Sequence, residues 1–549
     1  MQSRVEKLLQ RRKDAENMRT FFHSHWREQA NYFRQNIDNI GTEKHRTQPN
    51  TSRQSALFDS VGSEAASSYA AGCMAWLSPS ESAWFKFAPP KQMEGDDEVT
   101  SWYSKCTEIT REVLANSNFY REIHKLYLDD GVFGTGSMHM DTDPVLGLNF
   151  RTMRIGSYSI LEDMRGNVDT VFEDKEFTAR QAVEKFGEEN VGKTVRQAWQ
   201  NPQRIDKSKF TFTRVVVPNN EIQRGYIDAT GMPWSIIWIA VDDKVECSVE
   251  GAWSMPTFVH RHMTYTDTAW GFGPGWQATP DMRQLNEQQM FLDSLVETLV
   301  VPRVMAHVDH EGKIDMRPGG VTTFTDPNKI PKVWLENGSY PAGVDRVEWR
   351  QNNIRRAFHN HLFQVMSEIP PGKEVTATEI VQRQRDQLPA FSPTFAAKMV
   401  EVFNPLGRRA FGALLRMQAF PPPPKQLQIQ MENGVHIPDP RMVYSSRMAL
   451  QIEALENESF GRYFESLGAF AQLNPGVIDH VNWDAAVREY GRNEGVPESW
   501  IMPESDVRRM REARAEEQAR LQEQEQALQE SQAVKNESEA VKNMEQVAA

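Results

Sequence analysis

Two histidines alternate in the segment His260-Arg261-His262 and have the best spacing for metal chemistry in the chain. In an extended strand residues i and i+2 lie on one face, so both imidazoles would point the same way. Imidazole nitrogens bind Zn²⁺, but a site needs at least a third protein ligand, and none stands out by spacing. Two interpretations stay open: a packed or exposed histidine pair, or a metal-dependent hydrolase that uses both histidines and a distant carboxylate.

Two other groups of residues fit structural roles better than chemical ones. The glycines of Gly131-Val-Phe-Gly134-Thr-Gly136 follow a predicted helix and precede a strand, the reverse of a phosphate-binding loop, and the Walker lysine is missing. The pairs Asp129-Asp130 and Asp242-Asp243 adjoin predicted turns, where Asp is common for local hydrogen bonding. The sequence has no G-x-S-x-G, H-E-x-x-H or Walker A motif. It therefore favours a protein that is not an enzyme and needs no cofactor or metal.

Size and composition are those of a large protein with several domains. A chain of 549 residues predicts roughly three to four domains. No apolar run approaches the ~20 residues that cross a bilayer, and the charged, amphipathic N-terminus is not a secretory signal. We therefore expect cytoplasmic assembly. The cysteines Cys73, Cys106 and Cys247 are too few and too scattered for a disulfide framework or a zinc site, which predicts reduced core thiols.

The net charge of -13 argues against a protein that grips nucleic acid by neutralising phosphates with clustered lysine and arginine. An acidic wall repels phosphates, so it is compatible with a surface past which DNA slides.

The segment Asp59–Phe87 is the most distinctive element of the N-terminal half. Its apolar residues recur at helical spacing with Ala, Ser and Gly between them, Pro79 stops the helix, and a strand follows at Trp84–Phe87. A helix over Val5–Phe33 precedes it. After it the sequence predicts helices at 99–114, 119–128 and 178–186, short strands between 138 and 172, and an antiparallel meander over 209–249. These elements predict an α+β protein.

The second half of the sequence predicts two helices that form a hairpin, with a turn-rich insert at its tip. A helix opens at Pro280 and ends or kinks at Pro302, the turn-rich insert Gly312–Gly343 follows, and a helix returns over Asp345–Val365. A loop at Met366–Val375 leads to a capping box at Thr376–Glu379, which starts a third long helix. Further helices are predicted at 446–471, 475–479 and 485–490. The polar stretch Ser505–Glu545 fits a long helix and a disordered tail equally well.

The order of these landmarks resembles the portal, or head-to-tail connector, protein family of short-tailed, T7-like bacteriophages. The landmarks that carry the resemblance are 59–87, 131–140, 163–168, 271–286, Val301-Pro302, Pro318-Gly319-Gly320 and 376–383. The match extends to about Phe420, and the final third agrees only in its helical character.

The resemblance implies a portal fold with a helical stem and crown, a mixed α/β wing and a small β-rich clip. The implied divisions are a wing at 1–275, stem helices at 276–308 and 345–365, a clip at 309–344, a tunnel loop at 366–375, a kinked helix and wing return at 376–445, a crown at 446–503 and a polar C-terminal segment at 504–549. The tunnel loop, which would face DNA, contains Pro370, Pro371, Gly372, Lys373 and Glu374, with Lys373 as the phosphate contact. The clip positions that would meet partner proteins are Pro318, Gly319, Gly320, Asp326 and Asn328.

By the same resemblance, about twelve copies form a ring at one capsid vertex of the virion. Double-stranded DNA passes through the ring without sequence specificity during packaging and ejection. The implied protein partners are the large terminase subunit, tail adaptor and tail proteins, scaffolding protein and the major capsid protein, with no membrane. Two other classes remain as alternatives: the hydrolase using His260 and His262, and a cytosolic adaptor with a coiled coil at 505–545. The adaptor is weakened by the lack of sustained apolar a and d positions.

Overall fold

The computed structural model describes most of the N-terminal four-fifths of the chain and parts of the remainder. The described residues are 3–34, 40, 57–93, 96–143, 147–220, 229–265, 268–300, 340–363, 393–431, 434–446, 481–493, 506–522, isolated positions between 304 and 333 and between 463 and 476, and residues 502, 524 and 527. The chain divides into two compact units, Met1–Ala449 and Leu450–Ala549. No helix among the described residues is long and apolar enough to span a membrane.

The N-terminus forms two helices, α1 (Arg4–Thr20) and α2 (His23–Phe33), instead of the single predicted helix. Ser3 and Glu6 form a capping box that starts α1. The break leaves Phe21 80% exposed, while Phe22 stacks on Trp26 of α2. A helical apolar pattern continues across the break, which is why the sequence did not reveal it.

The distinctive segment forms helix α3 (Val61–Leu77) and strand β1 (Phe85–Ala88), as predicted. Helices α4 (Asp97–Asn116) and α5 (Phe119–Phe133) follow, and both are longer than predicted. The small residues bring helices together: a Cβ on Gly131 of α5 would lie 2.6 Å from the ring of Tyr69 in α3. α5 ends at Gly134, whose φ of +75° is the left-handed conformation that glycine adopts without strain. The glycine-rich segment is therefore a tight helix-to-strand turn.

The strands form antiparallel sheets, which confirms the α+β class. The strands are β2 Thr135–Asp143, β3 Gly147–Met153, β4 Tyr158–Glu162, β5 Val168–Thr178, β6 Lys209–Pro218, β7 Trp234–Ala240, β8 Val245–Ala252 and β9 Thr257–Arg261. One sheet has the order β3-β2-β9, and a larger one has the order β4-β5-β6-β7-β8.

Both faces of the five-stranded sheet are covered. Helix α1 packs Leu8 and Ala15 against Phe172, Val215 and Ile237 on one side. Helices α6 (Ala179–Phe186) and α7 (Lys193–Trp199) pack on a second cluster that contains Phe212 and Trp238. This double burial explains why residues 212–217 of β6 and 235–240 of β7 are buried without the alternation that is usual in antiparallel strands.

A buried carboxylate joins the two sheets. Glu173 of β5 is opposite Arg214 of β6 and contacts it at 2.8 Å, and Arg151 of β3 donates to its Oε2 at 2.9 Å. Burial opposes ionisation of Glu173, but Arg214 and Arg151 lower its pKa from 4.5 to about 2. The ion pairs therefore persist to low pH.

We predict that Glu173→Gln lowers the free energy of unfolding at pH 7 by about 2 kcal/mol, because the buried Arg214 and the partly exposed Arg151 lose a charged acceptor. Because the pKa of Glu173 is depressed in the folded state, its contribution is present above pH 4.5 and is lost as pH falls through about 2. Urea unfolding of wild type and variant across this range should show the difference shrinking as pH falls. Glu188→Gln, an exposed change outside the sheet, is the control, and a difference that stays constant with pH would contradict the prediction.

Two helices form the predicted hairpin, but they begin and end at other residues than the sequence predicts. Helix α8 spans Pro274–Val300 and helix α9 spans Tyr340–Ala357. Pro280 lies inside α8, not at its start, where it removes one i to i−4 hydrogen bond without ending the helix. After α9, His359 adopts a positive φ of 55° and a short helix α10 (Asn360–Phe363) follows, so the returning helix does not run unbroken from Asp345 to Val365.

The last part of the first unit contains a π-helical turn at Met399–Phe403 that continues into α11 (Asn404–Arg416). Strand β14 (Arg441–Tyr444) pairs with β1, and β12 (Ile429–Met431) pairs with β13 (Gly434–His436). At the far end of the α8–α9 hairpin, β10 (Val304–Met305) pairs with β11 (Lys332–Val333). In the second unit, α12 spans Trp483–Asn493 and residues 506–522 are helical. The capping box predicted at Thr376–Glu379 lies outside the described residues.

Candidate functional site

Strand β9 places the two histidines beside the end of α5. It pairs with β2, with His260 opposite Gly136, and the His260 side chain is completely buried. His262 follows directly after the strand, and its imidazole is 8% exposed. Both rings point to the same side, as the alternation predicted. They lie inside the protein and are not an exposed pair.

An acidic residue joins the two histidines: Asp130, in the last turn of α5. Its Oδ1 lies 3.2 Å from His260 Nε2 and 3.6 Å from His262 Nδ1. Tyr69 Oη donates to its Oδ2 at 2.8 Å, and Gly131 gives the Tyr69 ring room to approach. The interpretation of Asp130 as a turn residue with local hydrogen bonds is therefore wrong. Neighbouring Asp129 points elsewhere and pairs with Arg34.

Lys398 supplies a cation at the centre of this group. Its Nζ lies 2.5 Å from Asp130 Oδ2 and 2.9 Å from His260 Nε2, and its side chain is 1% exposed. Burial opposes ionisation of Asp130, but the positive charge of Lys398 holds its pKa well below the usual range. The Asp130 carboxylate is therefore charged at neutral pH.

Glu401 completes the group from within the π-helical turn. Its Oε2 lies 3.2 Å from His260 Nδ1 and accepts from the Arg261 backbone N–H at 2.8 Å, and its Oε1 accepts from Arg261 Nη2 at 2.6 Å. Arg261 also pairs with Glu162 and donates to the Gly166 carbonyl oxygen at 2.8 Å. Lys398 precedes the π-helical turn directly, so one irregular segment contacts α5 and β9, and Arg261 of β9 extends these contacts to Glu162 and Gly166. We call Tyr69, Asp130, His260, His262, Lys398 and Glu401 the buried charged cluster.

The contacts fix the tautomer of His260. Lys398 has only hydrogens to donate, so His260 Nε2 must accept and His260 Nδ1 must donate to Glu401. Burial lowers the pKa of His262 below 6.5, so this imidazole is neutral at pH 7. Burial also raises the pKa of the neighbouring Cys73 thiol to about 12, which makes it a poor nucleophile. The cluster is arranged to tie α3, α5, β9 and the π-helical turn together.

All three cysteines are free and buried, which confirms their prediction as core thiols. The other carboxylate pair, Asp242-Asp243, has a structural role: Asp243 Oδ2 accepts from the backbone N–H and the hydroxyl of Thr194 in the first turn of α7.

A second candidate site is the α8–α9 hairpin. Arg350 of α9 donates to Asp281 at 2.9 Å and to Gln288 at 3.0 Å, both in α8. The base of the hairpin buries Met282, Leu285 and Ile354. Towards the tip, Phe291 is 65% exposed and Val300 is 74% exposed.

Exposed apolar side chains of this size make α8 a candidate for contact with another chain. Trp349 of α9 is also half exposed, and the guanidinium carbons of Arg346 and Arg350 lie 5.1 Å and 5.8 Å from its ring centroid.

The sequence-predicted site residues are only partly described. At the hairpin tip, Asp326 Oδ1 accepts from the backbone N–H of Asn328 at 2.9 Å, a local turn contact. Pro318, Gly319 and Gly320 lie outside the described residues, and so do Pro370, Pro371, Gly372, Lys373 and Glu374. Their roles stay predictions.

Comparisons with known proteins match almost the whole chain. A sequence model of the family described as "Bacteriophage head to tail connecting protein" matches residues 5–502. The chain is 24% identical over 520 residues to the portal protein of Salmonella phage epsilon15, covering 93% of this chain and 91% of that protein. It is 24% identical over 504 residues to a probable portal protein of Bordetella phage BPP-1, covering 90% and 88%.

Structural similarity is more distant. A chain in the virion of a native gene transfer agent particle aligns with 78% of this chain and 92% of its own length, at 11% identity and a TM-score of 0.38. This similarity is too weak to carry a conclusion.

Proposed function

Because the chain belongs to the family of bacteriophage head to tail connecting proteins, we propose that about twelve copies close into a portal ring at one capsid vertex. The ring is a channel for double-stranded DNA during packaging and ejection. It is also the platform on which the terminase and then the tail adaptor and tail proteins dock. The ring has a mechanical role and is not an enzyme. It assembles with scaffolding and major capsid proteins in the host cytoplasm and becomes part of the virion.

The observation that carries this proposal is the length of the family match. It runs from residue 5 to residue 502, and both curated relatives align over about nine-tenths of this chain and of their own lengths. A shared domain would match only a fraction of such chains. The similarity therefore extends over the whole chain and is not limited to one domain.

The α8–α9 hairpin supports assembly with further copies. It exposes Phe291 and Val300, which favour contact with an apolar surface, while Arg350 and its partners hold its own two helices together. A head-to-tail contact between copies closes into a ring when its repeated rotation completes a full turn without a shift along the axis. We therefore propose α8 and α9 as the stem, with Phe291 at the contact between neighbouring copies.

The charge of the chain supports a DNA channel. A net charge of -13 on every copy gives the assembled ring an acidic character that repels phosphates and lets DNA slide. We propose that Pro370, Pro371, Gly372, Lys373 and Glu374 form a loop towards the DNA. We propose that Pro318, Gly319, Gly320, Asp326 and Asn328 belong to the clip that meets the terminase and the tail adaptors.

The two alternative functions are less well supported. A hydrolytic metal site needs an open coordination position for water, whereas the Lys398 ammonium contacts both Asp130 and His260 in a buried site. A coiled coil needs a continuous apolar seam, and apart from alanines the described residues 508–522 offer only Met510 and Leu521 as apolar side chains.

Deleting Met366–Val375 tests the tunnel-loop assignment. We expect the variant to form rings of wild-type size but to lose packaged DNA or its retention, because a connecting loop can be shortened without removing core residues. The measurements are electron microscopy of the purified rings and packaged DNA per particle in a complementation assay. Lys373→Ala should weaken packaging or retention in the same direction, with Lys105→Ala, an exposed lysine of α4, as its control. Failure of the deletion variant to form rings would show that the segment holds copies together.

A further inference from the structure

Three potential metal ligands converge in the buried charged cluster. Asp130 Oδ1, His260 Nε2 and His262 Nδ1 all lie within 4.8 Å of one another. The distances from Asp130 Oδ1 to the two nitrogens are 3.2 Å and 3.6 Å. Ligand atoms about 2.0–2.1 Å from a tetrahedral Zn²⁺ are separated by about 3.3 Å. The three atoms are therefore close to a metal-binding arrangement and need only small side-chain movements to reach it.

Two further observations point to a cation ligand set. Asp130 Oδ1 is buried and has no hydrogen-bond partner in the described part of the chain. His260 Nε2 cannot supply a proton to it, because that nitrogen already accepts from Lys398. In addition, His260 Nδ1 contacts the Glu401 carboxylate, and metal-binding histidines usually donate their second ring N–H to such a group.

Lys398 already provides a positive charge at this place. Its ammonium contacts Asp130 Oδ2 and occupies the lone pair of His260 Nε2, which a metal ion would need. Both cations cannot use that lone pair together, and they would repel each other strongly in a buried site.

We propose that Asp130, His260 and His262 have the arrangement of a site for a divalent transition metal such as Zn²⁺ or Co²⁺. In the wild-type chain the Lys398 ammonium occupies this site and prevents the metal ion from binding. Removing the lysine charge opens a site with two imidazoles, one carboxylate and Glu401 as the outer carboxylate.

The test compares wild type with Lys398→Met and with Lys398→Gln, which retains a hydrogen-bond donor for Asp130. Each protein is titrated with Co²⁺ and followed by visible ligand-field absorption, and bound Zn²⁺ per chain is measured after gel filtration. We expect one metal ion per chain in both variants and none in wild type. Lys398→Met/His262→Ala should lose the binding, and Lys398→Met/Glu401→Gln should weaken it by about 10–100-fold.

Stability gives a second readout. Zn²⁺ should raise the unfolding temperature of Lys398→Met but not that of wild type, since a ligand that binds only the folded state stabilises it. Folded Lys398 variants without stoichiometric metal would overturn the proposal, and so would equal binding by wild type. Failure of both variants to fold even with Zn²⁺ would also overturn it, because an intact site would stabilise the folded chain.

Discussion

Lys398→Met lowers the free energy of unfolding by about 3–5 kcal/mol, the largest effect that we expect from one substitution within the subunit. The variant leaves Asp130 charged in a completely buried position, where Lys398 Nζ contacts it at 2.5 Å in the wild type. It also removes the donor to His260 Nε2. The measurement is urea unfolding at a fixed protein concentration without added metal, because oligomer stability depends on that concentration.

A second substitution distinguishes the effect of the unpaired Asp130 charge from a simple loss of packing. Lys398→Met/Asp130→Asn removes the uncompensated charge, so we expect it to be more stable than Lys398→Met alone. Lys105→Met, an exposed lysine of α4, should change stability by less than about 0.5 kcal/mol. A Lys398→Met protein as stable as wild type would mean that the ion pair does not hold these elements together.

Phe291→Asp prevents assembly of the proposed ring without unfolding the subunit. Phe291 is 65% exposed on α8, so a charged residue there costs the isolated chain little. In a ring the same side chain is buried at every contact, where losing a phenylalanine costs about 1.5–3 kcal/mol and burying an unpaired carboxylate costs more. Because the loss repeats at each contact around a closed ring, we expect monomers at concentrations at which wild type is fully assembled. Light scattering measures the mass, and circular dichroism checks the fold.

A matched control is available in the same chain. Met164 is 100% exposed in the turn between β4 and β5, so Met164→Asp makes a similar change away from the hairpin. We expect this variant to assemble like wild type. Rings of normal mass from Phe291→Asp would place the contact between copies elsewhere, and loss of rings in Met164→Asp as well would show that added charge alone prevents assembly.

Local patterns predicted most of the secondary structure. Alternating and continuous apolar runs located the strands, and Gly134 and Thr178 marked the ends of elements as expected. The errors in helix bounds have local physical causes. Pro280 predicts a helix start, but the helix continues through it because a helix tolerates one internal proline at the cost of a hydrogen bond. The end of α9 at His359 requires a positive φ in a residue other than glycine, which no sequence pattern signals.

The buried charged cluster could not be predicted from spacing. Asp130, His260 and Lys398 are each separated by more than 120 residues in sequence and meet only through folding. Some signal was present, since Asp130 lies in the segment LYLDDGVFG and Lys398 in FAAKMVEVF, where apolar neighbours make an isolated charge unusual. Such residues indicate burial and hence a partner of opposite charge, although they do not identify it. The histidine pair can be recognised in the sequence because its members are two residues apart.

The most direct test of the ring is electron microscopy of the purified full-length chain, with its mass measured by light scattering. The proposed function predicts closed rings of about twelve copies with a central channel wide enough for duplex DNA. A homogeneous monomer or dimer that stays unassembled together with its scaffolding and capsid proteins would contradict it.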